Sequence, residues 1–361
     1  MRALVCHGPR DFRLEQRPVP VPAAGEVLLR PLFNGICFTD KHVFEGHISR
    51  APGRVLGHEF SARVEASGPG VTGWQTGDLI CVDPRRRCGH CLACRAGLET
   101  LCSEGGFIGV DAADGGLAEF VTVPAYTLYR LPAGCSPLQA SCVEAACCAT
   151  RAVRSGQVSF GDNVVLLGLE DYNLYMAQWL RGAGATVVAI DALEHRRRAA
   201  LDFGAHHALD PGQGRVAAAV RKIMPFGADV VVVALEDYLP AAGEYVGLAH
   251  RIARMQGRII MLRSYGSAPF AKVQTSNAWL KELTIHHFGN FFGNEPARGG
   301  RERGDWQVTL DAMARGTLAA PPAGALVRPF ASLKDKADVD ALFDSIPGHA
   351  SKLIIDMTAA A

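Results

Sequence analysis

Four cysteines within fifteen residues carry the most concentrated chemistry in this chain. The stretch "CGHCLACRAGLETLC" sets Cys88, Cys91, Cys94 and Cys102 in a C-x2-C-x2-C-x7-C array. Spacings this short let one tight loop aim several thiolates at a single point, and Gly89 and Gly97 ease the turns. Four thiolates suit a closed tetrahedral Zn(II), which stabilises a lobe and leaves no position for substrate. Other candidate ligands are scattered. Cys37, followed by Thr39, Asp40 and His42, lies in "NGICFTDKHVFEGH"; His58 and Glu59 lie in "VLGHEFSARVEASGPG"; Glu144 lies in "CVEAACCATRAV". Taken singly, each has an ordinary explanation, because a lone cysteine is usually a small buried apolar residue.

The elements that must position these residues change character along the chain. From about Ser155, "NVVLL", "TVVAI" and "DVVVVAL" read as buried strands, with "YMAQWLRGAGA" and "HRRRAALDFGA" as helices between them. Short apolar runs alternating with helices predict a parallel sheet covered on both faces, a Rossmann-type arrangement. The first strand runs into Gly168, where a dinucleotide site would read G-x-G-x-x-G. The second glycine slot holds Glu170 and the third holds Asn173. The second glycine lets a pyrophosphate approach the backbone and the third lets the helix pack on the strand, so both features are lost. Asp191 closes the next strand, at the place of an acid that binds the adenosine ribose, or of a helix N-cap.

The whole chain bounds the answer. Its 361 residues allow two domains with separate cores, and 48% hydrophobic with 20% charged residues is the composition of a soluble globular protein. A net charge of +1 gives no general case for nucleic acid or an anionic membrane. Arg85–Arg87 reads as a solvated loop and Arg196–Arg198 as a helix face. No apolar run is long enough to span a bilayer and no signal-peptide pattern stands at the N-terminus, so a cytoplasmic location is expected. The 11 cysteines then meet reducing conditions rather than forming a disulfide framework.

Nearly end to end, the sequence resembles the zinc-containing medium-chain dehydrogenase/reductase family, the alcohol and polyol dehydrogenases. The resemblance rests on "MRALV", "GEVLLRPLFNGICFTD", "LGHEFSARVEASGPGV", "GDLICVDP", the cysteine lobe, "GGLAEFVTVPA" and "GATVVAID". It implies an α/β protein with a GroES-like, β-rich catalytic domain, residues 1–150 with 290–361, and a Rossmann-type doubly wound parallel sheet domain, residues 151–289. It implies two zinc ions per chain. Cys37 and His58 match the catalytic zinc ligands, and Glu59 and Glu144 match residues that bind it directly or exchange with its water. Cys147 and Cys148, one helical turn on from Glu144, read as packing residues, the alternative being that one of them replaces Glu144 as a ligand. Thr39 and His42 match the family's proton relay, and Asp40 an orienting partner. One thiolate, one imidazole and one or two carboxylates would leave zinc an open position, where it polarises a carbonyl or acidifies a hydroxyl.

Against the same pattern, Glu236 and Arg263 also replace glycines at strand ends, so Glu170, Asn173, Glu236 and Arg263 stand at four rim positions. "LEDY" occurs twice, at Leu169–Tyr172 and Leu235–Tyr238, making Glu170, Asp171, Tyr172, Glu236, Asp237 and Arg263 candidates to line the former cofactor cleft. Gly168 and Asp191 are the cofactor residues if NAD binds. The favoured expectation is a zinc enzyme without nicotinamide hydride transfer, with NAD(P) binding doubtful. The zinc would act as a Lewis acid on a hydroxy-carbonyl, polyhydroxylated or amino small molecule, in a lyase, isomerase or cyclase reaction. The alternative is an NAD(H)-dependent alcohol or polyol dehydrogenase; a non-catalytic binding protein ranks last. A homodimer or homotetramer is expected from the family, with a small-molecule substrate and neither nucleic acid nor membrane as partner.

Overall fold

The computed structural model of the protein describes residues 1–50, 52–234, 242–262, 275–287, 300–322, 324–346 and 352–359. The chain forms two compact units, Met1–Ala145 with Phe292–Ala361, and Ala146–Phe291.

The first unit is built around the strand Glu26–Ile36, whose residues alternate between buried and half-buried over most of its length. That is the period-two pattern of a strand with one face in a core. It pairs antiparallel with Glu59–Ser67 on one side and with Leu353–Asp356 on the other. Leu79–Val82 and Leu128–Arg130 continue the sheet beyond Glu59–Ser67, and Leu326–Pro329 continues it beyond Leu353–Asp356. A smaller sheet joins Asp11–Gln16, Arg2–Gly8 and Arg54–Val55. Val27, Leu29, Phe60, Ile80 and Val123 fill one core. In another, Phe12 packs edge-on against Phe44 and Phe343 with ring centroids 5.3 and 5.0 Å away. Each such buried side chain contributes about 1.5–3 kcal/mol relative to exposure.

The second unit is a six-stranded sheet in the order His207–Leu209, Thr186–Ile190, Asn163–Leu167, Ala228–Val233, Ala253–Met261, Thr284–His287. Every pairing in it is parallel. Numbered along the unit, the order is 3-2-1-4-5-6, the Rossmann arrangement. The apolar runs that predicted these strands are buried throughout, as in Val164–Leu167 and Val187–Ile190. Helices Asp171–Gly182, Glu194–Asp202, Val216–Ile223 and Ala242–Ile252 alternate with them in sequence. Parallel strands need such crossovers, because no tight turn can join them.

Two local expectations are corrected. Arg85 is not solvated: it is buried, and Nε and Nη2 donate to Asp83 at 2.9 and 2.6 Å. Arg196 and Arg197 are not a free helix face, since Arg196 lies 3.7 Å from Asp191 and Arg197 lies 3.4 Å from Asp210. Among the described residues, no helix is long and apolar enough to cross a membrane. Glu236, Asp237 and Arg263, and with them the second "LEDY", lie outside the described residues.

Candidate functional site

Cys37 is where the strand Glu26–Ile36 becomes the helix Phe38–Glu45. It is the helix N-cap, in extended conformation at φ −87° and ψ 156°. Glu59 opens the neighbouring strand and pairs with Gly35, and His58 precedes it. Sheet register therefore delivers one thiol, one imidazole and one carboxylate to a common point. Ligand atoms of Cys37, His58 and Glu59 all lie within 4.8 Å of one another, and all three residues are buried. His58 Nδ1 and both carboxylate oxygens of Glu59 are buried without a hydrogen-bond partner. Lys352 Nζ approaches Glu59 Oε2 to 2.5 Å as an ion pair, outside hydrogen-bond angles.

Asp40 ties the cluster together. Its Oδ2 accepts from the Cys37 backbone N–H at 3.0 Å, and its Oδ1 stands 3.8 Å from His58 Nδ1. Thr39 Oγ1 is 3.5 Å from Cys37 Sγ. Thr39 and His42 are three apart on the same helix and so share a face. His42 is buried, with Nδ1 3.5 Å from Nδ1 of the exposed His47. Glu144 lies outside the three-residue group, in the first turn of Val143–Ser155, yet is near enough to act on the Cys37 thiol.

Burial pushes the Cys37 thiol well above its ordinary range; the Glu59 charge adds to this and Lys352 opposes it. Burial likewise raises Asp40, against the lowering effect of His58. Lys352 offsets the Glu59 charge at one oxygen, but a buried thiolate beside a carboxylate that lacks hydrogen bonds is costly unless a further cation neutralises it. Binding a divalent metal supplies that cation and deprotonates the thiol. The donors present fit zinc.

The cysteine lobe makes a second, simpler case. Cys88, Cys91, Cys94 and Cys102 again lie with their sulfurs within 4.8 Å of one another. The Cys88–Cys94 and Cys91–Cys102 sulfurs are each 3.9 Å apart. At a Zn–S length of about 2.3 Å, tetrahedral geometry puts sulfurs about 3.8 Å apart, so the cage is the right size. Backbone N–H groups of Cys102's and Cys88's neighbours point at sulfur: Cys88 N donates to Cys102 Sγ at 3.3 Å, and Cys91 N to Cys88 Sγ at 3.3 Å. The Cys94 N–H, with further backbone help from Ser103, lowers the Cys91 thiol to about 6, while burial pushes Cys94 up to about 12. Gly89 and Gly97, at φ +77° and +74°, make the left-handed turns that the array requires.

The dinucleotide loop is filled by side chains. Gly168 keeps a left-handed φ of +80°, which only glycine adopts freely. Glu170 is the N-cap of Asp171–Gly182 at φ −67° and ψ 172°, a conformation open to any residue. Its side chain is only 3% exposed. Asp171 is also buried, and its Oδ1 accepts from the Tyr172 N–H at 2.9 Å. Asn173 is fully buried and donates through Nδ2 to the Gly168 carbonyl. Asp191 is not a helix N-cap, a position held by Leu193. Its two carboxylate oxygens accept from Leu169 N at 2.7 Å and Leu193 N at 2.8 Å, clamping two loops together. For a nicotinamide dinucleotide, Gly168 and Asp191 fit. Glu170, Asp171 and Asn173 do not fit the usual pose: the helix N-terminus already carries two carboxylates where a pyrophosphate would bring its charge.

Sequence reasoning missed Lys352 and His47. Each is a single polar residue with no motif around it, and only tertiary register brings Lys352 to Glu59.

Comparison with known proteins agrees with this architecture. The family described as "Alcohol dehydrogenase GroES-like domain" matches residues 23–133, and that described as "Zinc-binding dehydrogenase" matches residues 174–315. The sequence is 32% identical over 258 residues to a sorbitol dehydrogenase of Halalkalibacterium halodurans, covering 70% of this chain and 74% of that protein. It is 29% identical over 346 residues to a 2-dehydro-3-deoxy-L-galactonate 5-dehydrogenase of Pseudoalteromonas atlantica, covering 95% and 94%. Among such curated relatives the matched share of the relative runs from 56% to 94% of its length. A crystal structure of a short chain alcohol dehydrogenase (rspB) from Escherichia coli CFT073, complexed with NADH, superposes with a TM-score of 0.84 at 26% identity over 99% of each chain. With a two-unit fold, a parallel six-stranded sheet and two buried or half-buried metal-ligand clusters, the chain belongs to the zinc-containing medium-chain dehydrogenase/reductase family of enzymes.

Proposed function

We propose that the protein is a zinc-dependent oxidoreductase acting at a carbinol or carbonyl carbon of a polyhydroxylated small molecule. The observation that carries this reading is the buried convergence of Cys37, His58 and Glu59, with Asp40, Thr39 and His42 arranged around it. Zinc at such a site polarises a carbonyl or acidifies a hydroxyl. Around it, Asp40 orients Cys37 and His58, Thr39 and His42 carry a proton away along one helix face, and Glu144 supplies a further carboxylate. The four-cysteine lobe holds a second zinc, which has no part in the chemistry. Most of the similar relatives carry dehydrogenase names, three of them for a polyol or sugar acids and others for L-threonine, which favours oxidation and reduction over the lyase, isomerase or cyclase reading expected from the sequence.

A second reading keeps the zinc and dispenses with hydride transfer. One observation favours it: Glu170, Asp171 and Asn173 are buried where the family's glycine-rich turn meets its cofactor. Calorimetry with NAD⁺, NADH, NADP⁺ and NADPH against the zinc-loaded protein separates the two. Micromolar binding of one of them supports the oxidoreductase reading; absence of binding by all four supports the second.

A further inference from the structure

We propose that Cys88, His90 and Glu104 form a third metal site on the exposed side of the cysteine lobe, which shares Cys88 with the four-cysteine cage and binds zinc on its way into that cage. This rests on the reading of the lobe as a zinc site.

The lobe's own turns make the juxtaposition. Gly89, at φ +77°, turns the chain between Cys88 and His90. Glu104 follows closely on Cys102, and the Cys88 N–H donates to Cys102 Sγ at 3.3 Å, drawing the two ends of the lobe together. One ligand atom from each of Cys88, His90 and Glu104 lies within 4.8 Å of the other two. His90 Nδ1 and Glu104 Oε1 are 3.5 Å apart. That is longer than an ordinary hydrogen bond of about 2.7–3.2 Å. Two nitrogen or oxygen ligands of one tetrahedral zinc, each bound at about 2.0–2.1 Å, stand about 3.4 Å apart, so the pair already has the spacing of a metal's ligands. The two side chains are 69% and 56% exposed, so an ion reaches them from solvent and water completes its coordination.

Charge and ligand type select the ion. A divalent zinc held by four thiolates leaves the cage net negative, and Glu104 adds to that charge. A thiolate sulfur has lone pairs enough for two metals, so Cys88 can serve the cage and the exposed site together. Thiolate, imidazole, carboxylate and water suit zinc, whereas calcium and magnesium take oxygen ligands. The filled cage is closed, so its ion enters and leaves only by exchanging ligands one at a time. Cys88 allows this without releasing the ion. It stays bonded while Cys91, Cys94 and Cys102 replace His90, Glu104 and water, each thiol giving its proton to solvent as its Zn–S bond forms. With a single thiolate and free access to water, the exposed site is the weaker one and empties at low free zinc.

The test uses the whole protein with cadmium-113 as the probe, a congener of zinc whose NMR shift follows the number of thiolate ligands and so separates cage from catalytic site. Wild type and the His90→Ala/Glu104→Gln double variant are produced with cadmium-113 in place of zinc. Further cadmium-113 is then added. In wild type the cage signal should shift or split as the added ion occupies the exposed site through the shared Cys88 sulfur; in the double variant it should do neither. Excess cadmium-112, which is silent, is next used as a chase. It should erase the cage signal roughly tenfold or more slowly in the double variant than in wild type, and the catalytic-site signal at the same rate in both. The single changes His90→Ala and Glu104→Gln, each confined to an exposed side chain, should give intermediate cage rates. Cage exchange that is equal in wild type and the double variant, or a wild-type cage signal indifferent to added cadmium, overturns the proposal. A wild type with no four-thiolate signal overturns instead the zinc reading of the lobe on which it rests.

Discussion

Cys37, His58 and Glu59 in the first unit and Gly168, Glu170 and Asn173 in the second all stand at or beside strand ends, where sheets of this kind present their chemistry. The two regions ask opposite things of their side chains. The metal cluster needs particular atoms, and they are there: a thiol, an imidazole and a carboxylate within 4.8 Å, with Asp40 hydrogen-bonded to the Cys37 backbone and 3.8 Å from His58. The dinucleotide turn needs side chains to be absent, and here they are present. Glu170 costs the backbone nothing, because its φ is negative. Asn173 repays its burial by hydrogen bonding to the Gly168 carbonyl. The turn is filled by its own buried side chains, Glu170, Asp171 and Asn173. A fold can keep its shape and its metal while the surface that receives a cofactor changes, and the two properties must be tested apart.

The largest expected effect separates the two metal sites. Cys94→Ser should remove one zinc and destabilise the lobe severely, because binding structural zinc contributes about 10–16 kcal/mol in small zinc domains. Cys37→Ala should remove the other zinc and abolish activity while leaving thermal melting nearly unchanged. Metal analysis and melting curves of the two variants check this; loss of the fold in Cys37→Ala would erase the division of roles. Next, His42→Ala should slow turnover about 10²- to 10⁴-fold with zinc content intact. An unaltered rate would show that the helix face bearing Thr39 and His42 carries no proton.

Glu170→Gly sharpens the comparison at the second region. Two unit negative charges about 4 Å apart, at an effective dielectric of about 20, repel by roughly 4 kcal/mol. At about 1.4 kcal/mol per decade, removing that repulsion tightens NAD⁺ binding by up to about a thousandfold. Titration calorimetry of the two proteins gives the ratio; equal affinities would mean that Glu170 does not face the pyrophosphate. The smallest effect is expected from Asp191→Asn, which turns one acceptor of the loop clamp into a donor and costs about 1–3 kcal/mol of stability. Denaturant unfolding measures it, and zinc content should not move.

The parts that were legible from sequence share one property, contiguity. The cysteine lobe is written within fifteen residues, and the parallel sheet in runs such as "NVVLL" and "TVVAI". Cys37, His58 and Glu59 are separated along the chain, and only the family resemblance joined them before the register of Gly35 with Glu59 did. Lys352 had no local sign at all, because only the tertiary fold brings it to Glu59. For Glu170 the residue type was plain, but its burial as a helix N-cap was not. Asp191 was read as a ribose ligand or a helix cap; the cap is Leu193, and the way the Asp191 oxygens hold the backbones of Leu169 and Leu193 had no sign in the sequence.

The central claim, zinc-dependent hydride transfer to or from a polyhydroxylated small molecule, is tested most directly by absorbance at 340 nm. Zinc-loaded protein would be mixed with NAD⁺ or NADP⁺ and a panel of polyols and sugar acids. The account predicts reduced cofactor forming at a rate proportional to enzyme with at least one substrate, and none with Cys37→Ala. Both zinc ions in place, with no absorbance change across the panel and no cofactor binding by calorimetry, would contradict it.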